Sequence, residues 1–378
     1  MFFKGTEKRP TAVEIASLID GLGAEFNAFT SKEYTGFYIK AASSHLELVT
    51  EVLSDMLLNS KFEQEEIDRE RNVIGEELRM YLDTPMRYVG DIYEELLYGD
   101  QPLGWDTVGT LKSLANIQRE DFLSYNSKYY LGPNMIFVVG WDVTASRGKE
   151  LAEKYLTALP DKPSPSFLPV KYSQDKPAVK IFHKDSEQAH LCLGVRGFSL
   201  GNPDRYKLSV LNAILGSSMS SRLFIQLRER RGLAYYVRSG NEEYNDAGSF
   251  AAQAGVEPKN IDEAVSVILS EFAKIATEIP GEEELTKAKE SLKGRLVLEL
   301  EDSREISTMA GIQELLEGKI RTPETIISEI DKVTAADVTE VAKKIFVNMQ
   351  RPMRDLIYTI TTMVQQLRSF AAEVTRVA

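Results

Sequence analysis

Cysteine occurs once in the 378 residues, at Cys192. That excludes an internal disulfide framework and suits a reducing compartment, so the cytoplasm is the expected location. Cys192 lies in the apolar run Leu191–Val195, the setting of a buried strand residue rather than of a reactive thiol. Histidine is almost as scarce. His45, His183 and His190 are the only three, and none has a partner four residues away, the spacing by which one helix presents two imidazoles to zinc. No apolar run approaches the ~20 residues of a membrane-spanning helix, and Met1–Arg9 lacks an apolar segment of signal-peptide length. Positive charge is in deficit, with 45 Lys and Arg against 57 Asp and Glu and a net charge of −12. Nucleic acid needs the opposite balance and is excluded as a partner, whereas polypeptides are not. P-loop, GxSxG and dinucleotide fingerprints are also missing. What is present is an ordinary globular composition, 43% hydrophobic and 27% charged. The length exceeds the ~250–300 residues at which a single core stops growing, so two domains are expected.

The boundary is marked by proline. Pro160–Pro177 holds five prolines in eighteen residues, a density that neither a helix nor a sheet interior tolerates. This divides the chain into residues 1–159, a linker 160–177, and residues 178–378. The halves resemble each other. Leu111, Leu114, Ile117, Asp121, Phe122, Tyr125 and Lys128 match Ile327, Ile330, Val333, Asp337, Val338, Val341 and Lys344, all at a constant offset of 216 residues. A weaker match at offset 213 links Phe37, Ala41, Leu48, Val52 and Met56 to Phe250, Ala254, Ile261, Val265 and Leu269. Each copy reads as an alternating strand running into an amphipathic helix. Locally, Thr11 and Glu14 form a capping box and Gly21 ends that helix. Ala24–Thr30 and Thr35–Ala42 read as strands, with Ser43 or Ser44 as the next helix cap. Phe62–Leu82 reads as a long charged helix stopped by Pro85, and Met135–Trp141 as a buried strand. The class is therefore α+β: two homologous sandwich-type domains, mostly antiparallel sheets with helices packed on them, related by duplication.

Two clusters can carry chemistry. Glu63, Glu65, Glu66, Glu70, Glu76 and Glu77 crowd the charged helix, and Glu70 and Glu77 are seven apart, so their side chains share a face. Paired carboxylates can ligate a metal and orient its ligands; the same residues also fit a solvated face with Arg69, Arg71 and Arg79 as partners. The second cluster is Leu227–Tyr235, where Arg228 is a permanently charged planar donor and Tyr235 a nearby hydroxyl. Both suit a peptide carbonyl; an amphipathic helix, a Gly232 turn and a strand would look alike.

Taken together in order and spacing, MFFKGTEKRP (Met1–Pro10), NAFTSKEYT (Asn27–Thr35), ERNVIGEELRMYLDTP (Glu70–Pro85), PLGWDTVGT (Pro102–Thr110), SSRLFIQLRERRGLAY (Ser220–Tyr235) and ELTKAKESLKGRL (Glu284–Leu296) resemble the pitrilysin, insulinase and mitochondrial-processing-peptidase family over roughly residues 1–346. The resemblance implies a zinc metalloendopeptidase, a hydrolase acting on peptides or unfolded polypeptide segments. It implies that Glu77 is the third zinc ligand and Glu70 the acid that supports the site. Asn27 and Ala28 match the edge strand that pairs with substrate backbone, and Arg228 and Tyr235 match the pair that helps hold substrate. In the family two His and one Glu bind Zn²⁺, and the glutamate of the inverted motif HxxEH deprotonates the bound water.

This chain contains no HxxEH. Met1 matches the residue that directly follows the motif, so the first domain is expected to lack its first strands and motif helix. The 378 residues are expected to bind zinc weakly and to be inactive alone, as the remainder of a zinc peptidase. The alternative is a non-catalytic partner subunit that supplies Arg228 and Tyr235 to a zinc-bearing homologue; a homodimer or heterodimer is expected in either case. Residues 355–378 match nothing in the family.

Overall fold

The computed structural model of the chain describes residues 1–350 apart from Asp175, Lys176 and Asp185; residues 355–378 lie outside it. In chain order the elements are α1 (Ala12–Asp20), β1 (Glu25–Thr30), β2 (Thr35–Lys40), α2 (Leu46–Leu58), α3 (Gln64–Leu82), α4 (Pro85–Tyr98), α5 (Leu111–Asn116), α6 (Arg119–Tyr129), α7 (Ala145–Tyr155), β3 (Ala189–Arg196), α8 (Arg205–Leu215), β4 (Ala234–Glu243), β5 (Gly248–Val256), α9 (Ile261–Thr277), α10 (Glu282–Glu299), α11 (Ser303–Glu317), α12 (Pro323–Lys332) and α13 (Ala335–Gln350). No helix among the described residues is long and apolar enough to cross a membrane.

The chain forms two compact units, and both are discontinuous. Among the described residues, the first comprises 1–83, 106–168 and 297–321, and the second 84–105, 169–296 and 322–350. The chain thus passes between units inside the proline-rich segment, and each unit takes in one helix from the other half of the sequence: α11 belongs to the first, α4 to the second.

In the first unit β1 and β2 pair antiparallel, and Ile15 and Ile19 of α1 meet Val52 and Met56 of α2 beneath them. All four side chains are fully buried, each contributing ~1.5–3 kcal/mol relative to exposure. The opening segment is pinned to α2 by a buried polar knot. Thr6 Oγ1 donates to Asp55 Oδ2 at 2.6 Å, Arg9 Nη1 donates to the same oxygen at 2.7 Å, and Arg9 also pairs with Glu51. In the second unit the sheet order is β3–β5–β4, all antiparallel. Phe250 of β5, Phe272 of α9 and Phe346 of α13 form its core, the last two stacked with centroids 4.4 Å apart.

The 216-residue offset has a local counterpart in the backbone. Ile117 has φ −67° and ψ 126°; Val333, 216 residues later, has φ −65° and ψ 125°. The next residues, Gln118 and Thr334, each donate a backbone N–H to the aspartate three positions on, Asp121 or Asp337, at 2.8 and 2.9 Å.

Several local expectations are corrected. Ser43 and Ser44 do not cap α2; they form a 3₁₀ turn, Ser43–His45, and the helix begins after it without a side-chain cap. Pro85 opens α4 at its first turn, where its missing N–H costs nothing, rather than merely ending α3. Met135–Trp141 is not a buried ladder strand. Met135 is extended, but Trp141 turns with φ 86°, no strand among the described residues pairs with the segment, and Ile136, Val138 and Trp141 are exposed. Cys192 lies on β3 as expected, half-buried, and burial pushes its thiol up to about 12.

Candidate functional site

α3 sorts its carboxylates. Glu65 and Glu66 pair with Arg69, Asp68 with Arg71 and Glu76 with Arg79, each one turn apart, with Glu66 and Arg71 half-buried and the rest exposed. These are the arginine-paired carboxylates. Glu70 and Glu77 border the buried stripe of Ile67, Gly75 and Leu78, are half-buried, and take other partners. Glu70 Oε2 is 2.6 Å from Lys4 Nζ, and Tyr81 donates its hydroxyl to Glu77. The two carboxylates singled out in the sequence are therefore distinct from the arginine-paired ones. Lys4 carries no signal in the sequence, whereas Tyr81 stands at i,i+4 from Glu77, a spacing legible there.

The donor set does not complete a zinc site. No group of three His, Cys, Asp or Glu side chains able to surround a metal ion occurs among the described residues. His45 is in the 3₁₀ turn before α2, His190 on β3 bonds Tyr236 at 3.0 Å, and His183 lies outside any helix or strand in the second unit. One carboxylate held by a tyrosine does not make the three-ligand tetrahedral arrangement of catalytic zinc.

β1 has a free edge. The hairpin closes with the Ser31 N–H donating to the Tyr34 carbonyl at 2.8 Å, which fixes the alternation of the ladder. Counting back from Ser31, the residues bonded to β2 are Phe29, Asn27 and Glu25, opposite Gly36, Tyr38 and Lys40. The N–H and C=O groups of Phe26, Ala28 and Thr30 then face away from β2. Consistently, the Ala28 N–H is met by Asn27 Oδ1 at 2.8 Å. Among the described residues no strand pairs with this edge.

On one face of the hairpin a groove of about 340 Å³ is lined by Asn27, Phe29, Tyr34, Tyr38 and, from α11, Arg304 and Ile312. Phe29 lies over Gly36, where a methyl group would collide with its ring. Arg304 sits 5.2 Å above the Tyr38 ring, donates to the Tyr38 hydroxyl at 3.2 Å and is neutralised by Glu305 at 2.6 Å. The α11 contribution is invisible in sequence, because Arg304 lies 266 residues from Tyr38.

In the second unit Arg228 and Tyr235 each occupy an irregularity. Arg228 belongs to a π-helical turn, Phe224–Glu229, and Tyr235 is the unpaired residue of a bulge between the pairs Ala234–Val256 and Tyr236–Gly255. Tyr235 is 69% exposed, and the Arg228 guanidinium lies 5.8 Å from its ring centroid. A π-turn and a bulge both re-aim a side chain that regular geometry would point elsewhere, and here they bring a charged donor and a hydroxyl together at the surface.

Comparison with known proteins gives the following. Residues 1–111 match the model of the insulinase family, peptidase family M16, and residues 116–292 match that of the peptidase M16 inactive domain. An uncharacterized zinc protease of Bacillus subtilis is 36% identical over 347 residues, covering 92% of this chain and 84% of that protein. An uncharacterized zinc protease of Mycobacterium leprae is 34% identical over 348 residues, covering 91% and 78%. The crystal structure of a protease from Helicobacter pylori superposes with a TM-score of 0.85 at 23% identity, covering 92% of this chain and 85% of that one. The structure of a peptidase M16 inactive domain from Pseudomonas fluorescens gives 0.82 at 21% identity, covering 91% and 83%.

Proposed function

This chain belongs to the insulinase family of M16 peptidases, and from that premise we propose that its 378 residues bind an extended polypeptide by backbone pairing along β1 without cleaving it unaided. The outward-facing backbone of Phe26, Ala28 and Thr30 carries this reading. Three residues with parallel-facing donors and acceptors suit an added strand, which supplies matching groups at the same two-residue period. Side chains of the added strand alternate, so those on one face meet the groove of Phe29, Tyr34 and Tyr38 and the rest meet the opposite face. Arg228 and Tyr235 offer donors to substrate carbonyls from the second unit. Glu77 is the one carboxylate offered at the family's third-ligand position, with Glu70 beside it. The donor set among the described residues does not fit zinc, so these residues alone supply no hydrolytic step. The test is binding of a fluorescent unstructured peptide, with hydrogen exchange slowed at residues 25–30; binding without such protection removes the β1 reading.

The second reading is a non-catalytic partner subunit, in a heterodimer with a zinc-bearing homologue. The built geometry around Arg228 and Tyr235, alongside the absent zinc donors, favours it. Glu77 and Glu70 weigh against it, since a dedicated partner has no use for either. Addition of the chain to an HxxEH-bearing relative separates the two readings: a partner raises the relative's kcat, and Arg228→Ala removes the gain.

A further inference from the structure

Two of the six strings that carry the family resemblance meet in the second unit. Glu284–Leu296 lies on α10 and has no part in the function proposed above, whereas Ser220–Tyr235 carries Arg228 and Tyr235. Glu284, Lys287 and Arg295 stand at i, i+3 and i+11, along one face of α10. All three engage the stretch that leads into the π-helical turn. Arg222 donates Nε to Glu284 Oε1 at 2.8 Å and Nη2 to Glu284 Oε2 at 2.6 Å, a two-bonded fork with both side chains half-buried. Lys287 Nζ donates to the Ser220 carbonyl at 3.0 Å, and Arg295 Nη2 to the Ser217 carbonyl at 2.6 Å. Lys289 and Lys293 lie on the other side of α10 and meet Asp331 of α12.

The helical segment they anchor changes period before it reaches Arg228. The Ile225 N–H bonds the Ser221 carbonyl four residues back, at 3.0 Å, whereas the Arg230 N–H bonds the Ile225 carbonyl five back, at 2.9 Å. The extra residue rotates everything after it by about 100° around the axis, one residue's step. Leu223 and Leu227 are fully buried on the inner side. The Arg228 guanidinium lies over the rings of Phe224 and Tyr235, 5.1 and 5.8 Å from their centroids. Among the described residues it has no hydrogen bond or ion pair. Two ring faces hold it, and its five N–H donors stay open to a ligand. A guanidinium held only by ring faces takes its direction from the backbone that carries it.

We propose that Glu284 is a positioning residue for Arg228: by gripping Arg222 it fixes the start of the π-helical turn, and so the direction in which Arg228 meets Tyr235. A fork of two parallel bonds sets orientation as well as distance, which a lysine in place of Arg222 would not do. Glu271 and Glu278 also help to hold Arg222 charged, so loss of Glu284 removes the direction of the grip and leaves other carboxylates to attract the cation. The inference rests on the reading of Arg228 as a donor to substrate, but the direction of its side chain is measurable with no peptide present.

The intact chain is labelled with nitrogen-15 at its arginines, and the Arg228 Nε–Hε signal is identified by its loss in Arg228→Ala. Over two ring faces that proton is shielded and lies upfield of an exposed arginine. Glu284→Ala is expected to return it to the exposed position. Arg222→Lys, which keeps the charge and loses the fork, should do the same, whereas Lys289→Ala, on the other side of α10, should leave it in place. With a fluorescein-labelled unstructured peptide, Glu284→Ala should raise the dissociation constant at least about threefold, and adding it to Arg228→Ala should change that variant by less than about twofold. An unmoved Arg228 signal in a folded Glu284→Ala or Arg222→Lys chain overturns the proposal. So do losses that multiply in the double variant, or a Lys289→Ala chain that behaves like Glu284→Ala, since either makes Glu284 an ordinary packing contact of α10. A parent chain that binds no peptide removes the reading of Arg228 as a donor, and the Arg228 signal alone then upholds or overturns the positioning by Glu284.

Discussion

Replacing Ala28 by proline separates the free edge of β1 from its paired edge. The Ala28 N–H faces away from β2 and is held by Asn27 Oδ1, so the substitution removes no rung of the β1–β2 ladder. Proline is tolerated on the outward side of an edge strand, and the preceding Asn27 is already extended, as a residue before proline must be. Folding should change by less than about 0.5 kcal/mol, as for surface substitutions away from special features. A peptide adding to the edge, in contrast, loses one N–H donor, about 0.5–1.5 kcal/mol, and meets the pyrrolidine ring where its own backbone must approach. The dissociation constant should rise by roughly two- to tenfold from the lost bond, and further from the ring. Phe29→Pro is the matched control. Its N–H points into the ladder opposite Gly36, and its ring is packed over that glycine, so the same residue type one position on should cost about 2 kcal/mol or more in stability. Anisotropy of a fluorescein-labelled unstructured peptide measures the first effect, and melting by circular dichroism the second. An Ala28→Pro chain that melts like Phe29→Pro, or that binds as well as the parent, refutes the assigned alternation.

Arg9→Ala should destabilise the first unit by about 3–5 kcal/mol at neutral pH, because it strands the buried Asp55. Burial raises the Glu51 pKa, but Arg9 and Lys8 more than reverse this and hold it below the ordinary range. That part of the stability is present above the unfolded pKa and lost as pH falls through the folded one, so urea unfolding should show the mutant's deficit shrinking in acid. A deficit independent of pH would contradict the charge assignment. With its thiol at about 12, Cys192 should react with a disulfide reagent at pH 8 at least about a hundredfold more slowly in the native chain than in urea. Equal rates would show that burial is overstated. Tyr235→Ala should weaken peptide binding and leave the melting temperature unchanged, since the side chain is 69% exposed; a lowered melting point would make it a packing residue.

The fold was legible where the code is local or repeated. The Thr11 and Glu14 box, the Asn27 and Tyr38 strands and the 216-residue offset needed only capping chemistry, period-two patterns and internal comparison. Met135–Trp141 departs from its sequence pattern for a physical reason. A continuous apolar run such as 135–139 favours a strand covered on both faces, but it does not say whether a neighbouring strand is present to pair with it. The acidic helix illustrates the same limit in the site. The shared face of Glu70 and Glu77 follows from a seven-residue spacing, whereas the choice of Lys4 and Tyr81 over arginine depends on what packs beside it. Arg304 and the exchange of α4 and α11 between units come from contacts hundreds of residues apart, for which a single sequence holds no pattern.

The proposed function has two halves, binding of an extended peptide along β1 and no unaided cleavage of it. Purified chain with added Zn²⁺ and a quenched fluorogenic peptide tests both halves at once. Saturable binding that Ala28→Pro weakens is expected, with fluorescence release no faster than in buffer. Cleavage that a chelator abolishes would contradict it, and would mean that the metal is held by residues other than those assigned here.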